Sequence, residues 1–351
     1  MNPVQEALKK LVGGQDLADA DAADAMRCLM AGEATQAQIA AFLAALRMKG
    51  ETVPEITAFA RTMREFAAKI RPKVDGTLVD TCGTGGDMVK TFNVSTAAMF
   101  AAAGAGVPIA KHGNRSVTSK AGSADVIEAL GAKIDLPPES AQTCIEKIGI
   151  GFMFAPMFHV AMKHAAPVRR EMGIRTVFNI LGPLTNPAGA QAQVLGVYEA
   201  GLTEKLAHVL KNLGSKRAMV VHGLDGLDEI STLGKTQISE LKDGAVKTYS
   251  VVPEDFGMSR ASADEIAGKD AAENAKILLN VLSGEHGARR DIVILNAAAA
   301  IVVGGKARDL KEGMAAAAKA IDSGKALEKV VALVEATGGD AGKLRGLEAS
   351  I

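Results

Sequence analysis

Residues 78–106 read LVDTCGTGGDMVKTFNVSTAAMFAAAGAG, and this stretch decides the fold class. A short apolar run at 78–80 enters a glycine-rich turn, and an alanine-rich segment with the composition of a helix follows from residue 94. The next apolar run, at 107–110, again ends in a polar turn, KHGNRSVTSKAG (111–122). Repetition of strand, turn and helix is typical of an α/β domain with a mainly parallel central sheet.

The same alternation continues toward the carboxyl terminus. Strand-like runs at 194–197 and 218–221 flank a helical pattern at 202–213. Runs at 237–241 and 246–251 surround Asp243-Gly244 and predict a hairpin at the sheet edge, because Asp-Gly suits a two-residue hairpin turn. Further helical patterns cover residues 124–130, 139–147, 288–303 and 309–336.

Residues 3–70 predict a separate helical unit. Thr35 with Gln38, and Thr52 with Glu55, have the spacing of capping boxes, which satisfy free backbone amides where a helix begins. Apolar residues then recur at helical spacing, which in the second helix predicts one stripe of Ile56, Phe59, Met63, Phe66 and Ile70. Such stripes could form the unit's own core or a subunit interface. Arg71-Pro72 marks the end of the unit.

Composition excludes several classes of protein. The 351 residues suggest about two domains, and 48% hydrophobic residues are too many for a disordered chain. Forty basic and forty acidic residues give zero net charge, and aromatics are 3%. A protein that binds nucleic-acid phosphates or stacks on single-stranded bases needs more cations or more aromatics.

Targeting signals are not evident. The amino terminus lacks the basic start and unbroken apolar core of a signal peptide, and the most apolar stretch, residues 292–303, is too short to span a bilayer. Three scattered cysteines are interpreted as reduced thiols. We therefore expect a cytoplasmic protein.

Three segments carry groups suited to a phosphorylated ligand. At 83–87, glycines let backbone N–H groups approach an anion, although the spacing matches neither the dinucleotide fingerprint nor a Walker A loop. At 93–96, Asn-Val-Ser-Thr opens a helix whose free amides attract phosphate; helix capping by these side chains is the simpler alternative. At 111–120, three cations and several hydroxyl or amide side chains lie together, as polyphosphate binding requires.

Individual reactive side chains near these segments have competing interpretations. Cys82 adjoins the glycine loop, but no histidine nearby supports a nucleophile, so we interpret it as a small buried thiol. His112 lacks a second histidine at ligand spacing, and a hydrogen-bonding role is favoured over general base or metal ligand. Asp228 and Glu229 follow a glycine turn, and adjacent carboxylates with substrate phosphate oxygens are what Mg²⁺ prefers.

Taken together, these motifs resemble the anthranilate phosphoribosyltransferases. The resemblance covers nearly the whole chain and rests on DTCGTGGD (80–87), FNVST (92–96), KHGNRSVTSKAGSAD (111–125), FAPMFHVAMKHAAPVRREMGIRTVFNILGPLTNPA (154–188) and VHGLDGLDEIS (221–231). It implies the nucleoside phosphorylase-type fold, with a small discontinuous helical domain and a larger α/β domain. The implied boundaries are 1–71, joined by helices near 167–190, for the helical domain. Residues 72–166 and 191–351 would form the α/β phosphoribosyl-binding domain.

The resemblance also implies the site. Ser95, Asp228 and Glu229 would hold Mg²⁺, two ions per subunit, and Lys111 and Arg169 would be catalytic. Anthranilate would contact Gly83, Asn114 and Arg169, with His112 a weaker candidate. The positions implied for 5-phosphoribosyl diphosphate (PRPP) are Gly83, Gly86, Asp87, Thr91, Asn93, Val94, Ser95, Thr96, Lys111, His112, Gly113, Asn114, Arg115, Ser116, Val117, Thr118, Ser119 and Ser123. Val160 and Ala121 depart from residues frequent in the family, but neither is an implied ligand position.

The implied reaction joins the anthranilate nitrogen to C1 of PRPP. It gives N-(5-phosphoribosyl)anthranilate and pyrophosphate, the second step of tryptophan biosynthesis from chorismate. A homodimer formed through the helical domain is also implied, with no nucleic-acid or membrane partner. Two alternatives are a pyrimidine nucleoside phosphorylase of the same fold and a non-catalytic, nucleic-acid-binding relative. The tract at 167–188 and the acid pair disfavour the first; zero net charge and intact motifs disfavour the second.

Overall fold

The computed structural model describes residues 2–86, 89–116 and 120–350, and it begins with a group of helices. These are α1 (Pro3–Val12), α2 (Asp19–Ala31), α3 (Gln36–Lys49) and α4 (Val53–Phe66). Both predicted capping boxes are present. The Thr35 hydroxyl accepts from Gln38 N–H and the Thr52 hydroxyl from Glu55 N–H. In return, the side chains of Gln38 and Glu55 accept from the backbone N–H groups of Thr35 and Thr52. Local sequence therefore sets where α3 and α4 begin.

The predicted apolar stripe of α4 is wrong in its last member. The helix ends at Phe66, and Ile70 is buried in a different part of the molecule. The N–H groups of Ala68 and Ile70 donate to the carbonyl oxygens of Phe158 and Pro187. Backbone hydrogen bonds to distant residues thus replace the helical ones that periodicity alone predicts.

A seven-stranded sheet forms the centre of the described structure, which confirms the predicted fold class. Its strands are β1 (Val79–Gly83), β2 (Ile109–Gly113), β3 (Ile150–Phe154), β4 (Ala192–Gly196), β5 (Arg217–Gly223), β6 (Thr236–Lys242) and β7 (Ala245–Val251). They lie in the order β3-β2-β1-β4-β5-β6-β7. The first five are parallel, and β6 and β7 continue the sheet antiparallel. The predicted edge hairpin is present, with Asp243 at the positive φ of 50° that its turn requires.

Helices cover the sheet and connect its strands. They are α5 (Val94–Gly104), α6 (Ser123–Ala129), α7 (Pro138–Ile148), α8 (Ala155–Phe158), α9 (Ala166–Met172), α10 (Phe178–Leu181), α11 (Gly201–Asn212), α12 (Ala271–Leu282), α13 (Ala288–Val303), α14 (Leu310–Asp322), α15 (Lys325–Ala336) and α16 (Ala341–Glu348), with short 3₁₀ turns at Val160–His164, Gly182–Thr185 and Pro253–Phe256. The helical pattern at 309–336 is divided into α14 and α15 at Gly324, whose φ is 76°.

The alanine-rich helices α5 and α13 pack against each other in the core. Asn296, within the otherwise apolar α13, is 2% exposed. Its Nδ2 donates to the carbonyl oxygen of Ile230 (2.9 Å), and its Oδ1 accepts from Ile230 N–H (2.8 Å). Because Ile230 directly follows Glu229, this paired contact fixes the acidic loop to the core.

The segment between β3 and β4 packs on the amino-terminal helices. The turn Val160–His164 contacts α2, α9 contacts α3, and α10 and the turn Gly182–Thr185 contact α4. This packing places α9, which carries Arg169, beside the helical unit. The domain boundaries, at 71–72, 166–167 and 190–191, stay predictions.

Cys28, Cys82 and Cys144 are buried free thiols. Burial raises the pKa of each of them, and the Cys82 sulfur accepts a hydrogen bond from Gln193 Nε2 (3.0 Å). Cys82 therefore has the environment of an inert thiol. Across the three described ranges, no helix is both long and apolar enough to cross a membrane.

Candidate active site

The loops after the parallel strands meet at one edge of the sheet, the usual place for ligands in such folds. There the N–H of Gly85 donates to Asp228 Oδ2 (2.9 Å), across 143 residues of sequence. A Cβ at Gly83 would lie 2.5 Å from the same oxygen. Glycine at 83 thus has a steric reason: it lets the acidic loop approach the glycine turn.

Glu229 makes the equivalent contact with the next predicted cradle. Its Oε1 accepts from Ser95 N–H (3.0 Å), in the first turn of α5, where negative charge is favoured. The Asn93 side chain at this helix start makes no capping hydrogen bond, so the capping alternative for Asn93 is not observed. The structure brings Ser95, Asp228 and Glu229 to one place.

This donor set suits Mg²⁺ bound together with a phosphorylated substrate. Within the described part of the chain there is no cluster of three or more His, Cys, Asp or Glu side chains that could hold a metal alone. Two carboxylates and a hydroxyl would need further oxygens from substrate, and Mg²⁺ is commonly bound in that way. Burial raises the pKa of Asp228 against the effect of the Gly85 N–H, and a nearby cation would favour its charged form.

Lys111 lies on β2 and is 2% exposed. Its Nζ donates to the carbonyl oxygen of Thr81 and to Ser95 Oγ, the second bond at 3.2 Å. Burial lowers the pKa of Lys111, whereas the carboxylates of Asp80 and Glu229 oppose that effect. The predicted catalytic cation is therefore placed between β1, α5 and the acid pair.

Asp80 is a site residue that sequence reasoning missed. It is fully buried on β1, and its Oδ1 accepts from His112 N–H (3.2 Å). Burial raises the pKa of Asp80 to about 6, against the effect of Lys111. The available signal was a charged residue within an apolar strand.

His112 and His159 form a buried pair, with ring centroids 5.0 Å apart. Burial lowers the pKa of His112 to about 3 and that of His159 to about 4, so both imidazoles are neutral near pH 7. His159 Nε2 lies 3.1 Å from the carbonyl oxygen of Thr185. The Nε2 of His112 has no hydrogen-bond partner among the residues described. Sequence reasoning passed over His159, although it lies in the tract at 154–188.

The segment after β2 folds back on itself. A Cβ at Gly113 would lie 2.3 Å from Ser123 Oγ, and the Asn114 carbonyl oxygen accepts from Ala124 N–H (3.2 Å). Arg115 forms ion pairs with Asp125 and Glu128 of α6, at 2.8 Å each. A ligand phosphate would have to compete with these acids for the guanidinium group.

The remaining predicted positions differ in what they can offer a ligand. Val94 and Thr96 are buried, so their backbone groups are the available contacts. Thr91 pairs with Ala267 in an isolated antiparallel bridge. The predictions for Asp87, Val117, Thr118 and Ser119 fall outside the described residues.

Two arginines lie in the segment between β3 and β4, and one of them contacts the glycine loop. The Arg169 guanidinium carbon lies 5.1 Å from the centroid of the Phe178 ring, and burial lowers its pKa. Arg175, which sequence reasoning did not identify, donates from Nη2 to the carbonyl oxygen of Gly86 (2.5 Å) and lies 4.1 Å over the Tyr198 ring. Arg175 therefore links this segment to the glycine loop.

Comparison with known proteins gives the family. Residues 5–67 match the helical bundle domain of a glycosyl transferase family, and residues 75–327 match its a/b domain. A curated anthranilate phosphoribosyltransferase from Methanocorpusculum labreanum is 58% identical over 336 residues, or 96% of this chain and 98% of its own.

Solved structures agree. Anthranilate phosphoribosyltransferase from Thermus thermophilus is similar with a TM-score of 0.89 and 43% identity, covering 96% of this chain and 100% of that one. The Saccharomyces cerevisiae enzyme in complex with PRPP and Mg is similar with a TM-score of 0.87 and 29% identity, covering 95% and 98%. The family predicted from the sequence motifs is confirmed: the chain belongs to the anthranilate phosphoribosyltransferases.

Proposed function

We propose that this chain carries out the reaction of its family, phosphoribosyl transfer from PRPP to anthranilate, at the carboxyl ends of β1 and β2 and the loop after β5. The observation that carries the proposal is the contact of Asp228 with the glycine loop and of Glu229 with the first turn of α5. An acid pair beside two anion cradles and a buried lysine suits a diphosphate bound with a divalent cation.

Magnesium would be held by Ser95, Asp228 and Glu229, with two ions per subunit and the remaining ligands from PRPP oxygens. When bound, Mg²⁺ neutralises charge on the pyrophosphate leaving group. The Mg²⁺ dependence of this chain is supported by the donor set described above and by the yeast structure that contains PRPP and Mg.

PRPP would lie along the glycine loop, the start of α5 and the segment 111–123. Backbone amides in the first two elements would face its phosphate oxygens. The Lys111 ammonium would stabilise the charge that develops as the bond from C1 to pyrophosphate breaks. Because Lys111 is almost fully buried, little water would screen that interaction.

Anthranilate would be oriented by Arg169, with Gly83 and Asn114 completing the contacts. A guanidinium group can bind a carboxylate through two parallel hydrogen bonds, which would aim the amine at C1. The C1–N bond forms as the C1–O bond breaks, the electron pair of that bond leaves with pyrophosphate, and the amine proton then passes to pyrophosphate or water. No strong general base is assigned, because His112 and His159 have low pKa values and would hold a proton weakly near pH 7.

A cytoplasmic homodimer formed through the helical domain completes the proposal. Val12, at the end of α1, is 76% exposed, and Met48, near the end of α3, is 89% exposed. Large apolar side chains of this kind often become covered when subunits associate. The three free thiols suit a reducing compartment.

The decisive experiment follows anthranilate fluorescence with PRPP and Mg²⁺. Consumption that requires PRPP, stops with a chelator and returns with added Mg²⁺ supports the proposal. Phosphorolysis of thymidine or uridine in place of anthranilate consumption would instead identify a pyrimidine nucleoside phosphorylase. A shift of DNA mobility without either activity would favour a non-catalytic relative.

A further inference from the structure

The Asn93 side chain connects two loops of the proposed PRPP site. Its Nδ2 donates to the carbonyl oxygen of Ala121 (3.2 Å), in the returning arm of the segment that follows β2. Its Oδ1 accepts from Asn274 Nδ2 (3.0 Å), in the first turn of α12 and 181 residues away in sequence. Asn93 is therefore held from both sides.

The side-chain amides of Asn93 and Asn274 each have one orientation that satisfies both of their hydrogen bonds. Asn274 Oδ1 accepts from Lys269 N–H (2.7 Å), which leaves Nδ2 as the donor toward Asn93. Asn93 in turn needs its own Nδ2 for Ala121, so its oxygen must face Asn274. Asn274 is 3% exposed, and a buried amide that loses its partner costs free energy.

The backbone before Asn274 supports the same loop. Gly268 N–H donates to the carbonyl oxygen of Lys90 (2.9 Å), and Phe92 N–H donates to that of Ile266 (3.3 Å). A Cβ at Gly268 would lie 2.4 Å from the Thr91 carbonyl oxygen. Residues 266–268 therefore run against residues 90–92 with no room for a side chain at position 268.

We propose that Asn274 is a positioning residue that, through Asn93, sets the spacing between the loop at 91–96 and residues 120–123, the arm that carries Ala121 and Ser123. The inference rests on the proposed placement of PRPP between these two elements. Asn274 touches no reacting atom. Within residues 120–123 only Ser123 is an implied ligand position, and it is one for PRPP, so the effect should appear in the binding of PRPP more than in that of anthranilate.

The test is Asn274→Asp. Aspartate keeps the acceptor for Lys269 N–H and the shape of the side chain, but it turns an oxygen toward the Asn93 oxygen. We expect the KM for PRPP to rise about tenfold, with the KM for anthranilate changed less than about twofold. Asn280→Asp, at the other end of α12, adds the same charge and should leave both constants unchanged.

Gly268→Ala disturbs the contact of residues 266–268 with residues 90–92 without altering the side chain of Asn93 or Asn274. The inference therefore stays testable if Asn274→Asp does not fold. Gly268→Ala should also raise the KM for PRPP selectively, whereas Gly346→Ala, where a Cβ meets open space, should not. Equal rises in both KM values, or an Asn274→Asp enzyme indistinguishable from Asn280→Asp, would overturn the inference.

Asn93→Ala separates this inference from the proposed function. If Asn93→Ala raises the KM for PRPP and Asn274→Asp does not, the inference alone is wrong. If Asn93→Ala has no effect, the proposed placement of PRPP is wrong and the inference is overturned with it. A double-mutant cycle combines Asn93→Ala with Asn274→Ala. If the free-energy effect of the double variant on the KM for PRPP is smaller than the sum of the single effects, Asn274 acts through Asn93. Additive effects would contradict the inference.

Discussion

The side chain of Glu229 accepts a hydrogen bond from the backbone N–H of Ser95 at 3.0 Å, across 134 residues of sequence. A carboxylate from the loop after β5 thus meets the first turn of the helix that follows β1. Asp228, its neighbour, meets the glycine loop. Two consecutive acids therefore contact both predicted anion cradles.

Removing the two carboxylates should remove Mg²⁺-dependent turnover. The double variant Asp228→Asn, Glu229→Gln keeps the shape of both side chains but loses their charge. We expect kcat/KM to fall by at least about 10²-fold, measured by anthranilate fluorescence over a range of Mg²⁺ concentrations. Asp243→Asn, in the edge hairpin, removes one acid far from the site and should have no effect. Unchanged activity in the double variant would exclude these acids from the metal site.

Gly83→Ala should displace the acid pair without removing a charge. The new Cβ would lie 2.5 Å from Asp228 Oδ2, so the carboxylate must move. We expect a higher Mg²⁺ concentration for half-maximal activity and about a tenfold or greater loss of kcat/KM. Gly346→Ala serves as the matched control. Wild-type Mg²⁺ dependence in Gly83→Ala would mean that the position of Asp228 does not matter.

Arg169→Ala should raise the KM for anthranilate much more than that for PRPP. A lost carboxylate contact of this kind costs about 1.5–3 kcal/mol, or about tenfold to a hundredfold. Arg170→Ala removes the neighbouring, exposed guanidinium group and should change neither constant. Steady-state kinetics with each substrate varied in turn makes the comparison. Equal rises for both substrates would count against an anthranilate contact at Arg169.

Acidification from pH 7 toward pH 5 should destabilise the fold. Burial lowers the pKa of His112 to about 3 and that of His159 to about 4, whereas unfolded imidazoles titrate near pH 6.5. Between these pKa values the unfolded chain binds more protons than the folded chain. The free energy of unfolding therefore decreases as the pH decreases. Asp80 acts in the opposite direction, because burial raises its pKa to about 6 and its contribution to stability is lost as pH rises to that value.

Urea unfolding at pH 7.5 and pH 5.0 tests this balance. His159→Gln should reduce the loss of stability between the two conditions by about 1–2 kcal/mol. His286→Gln, which alters an exposed histidine, should not change it. A His159→Gln variant that loses as much stability as the wild type between the two pH values would show that the buried His159 does not contribute to the response.

Features that depend on neighbouring residues could be predicted from the sequence. The capping boxes at Thr35 and Thr52 and the hairpin at Asp243 each involve residues within a few positions of one another. The failure at Ile70 shows the limit of such reasoning. Helical spacing continued to Ile70, but backbone bonds to Phe158 and Pro187 formed where periodicity has no information.

Some residues of the candidate site could likewise be identified from sequence motifs, and others could not. Motifs identified Lys111 and the acid pair, because residue type and order carry that signal. They did not identify Asp80, Arg175 or Asn274, whose contacts are made across long separations and, for Asn274, follow an irregular segment without apolar periodicity. Asp80 alone carried a signal, a charge within an apolar strand; nothing in the local sequence distinguishes Arg175 or Asn274 from other polar residues.

Ile230 is hydrogen-bonded to Asn296 in α13, whereas α9 packs on α3. This difference matters for engineering the enzyme. The residues proposed to handle the diphosphate are fixed to the core of the sheet domain, whereas the residue proposed to recognise the aromatic acid comes from a separate piece of chain. Arg169, the proposed contact for the acceptor carboxylate, therefore lies on a different element from the proposed contacts for the diphosphate. Libraries restricted to residues around α9 should yield transferases for other aryl amines while the donor half of the enzyme is left as it is.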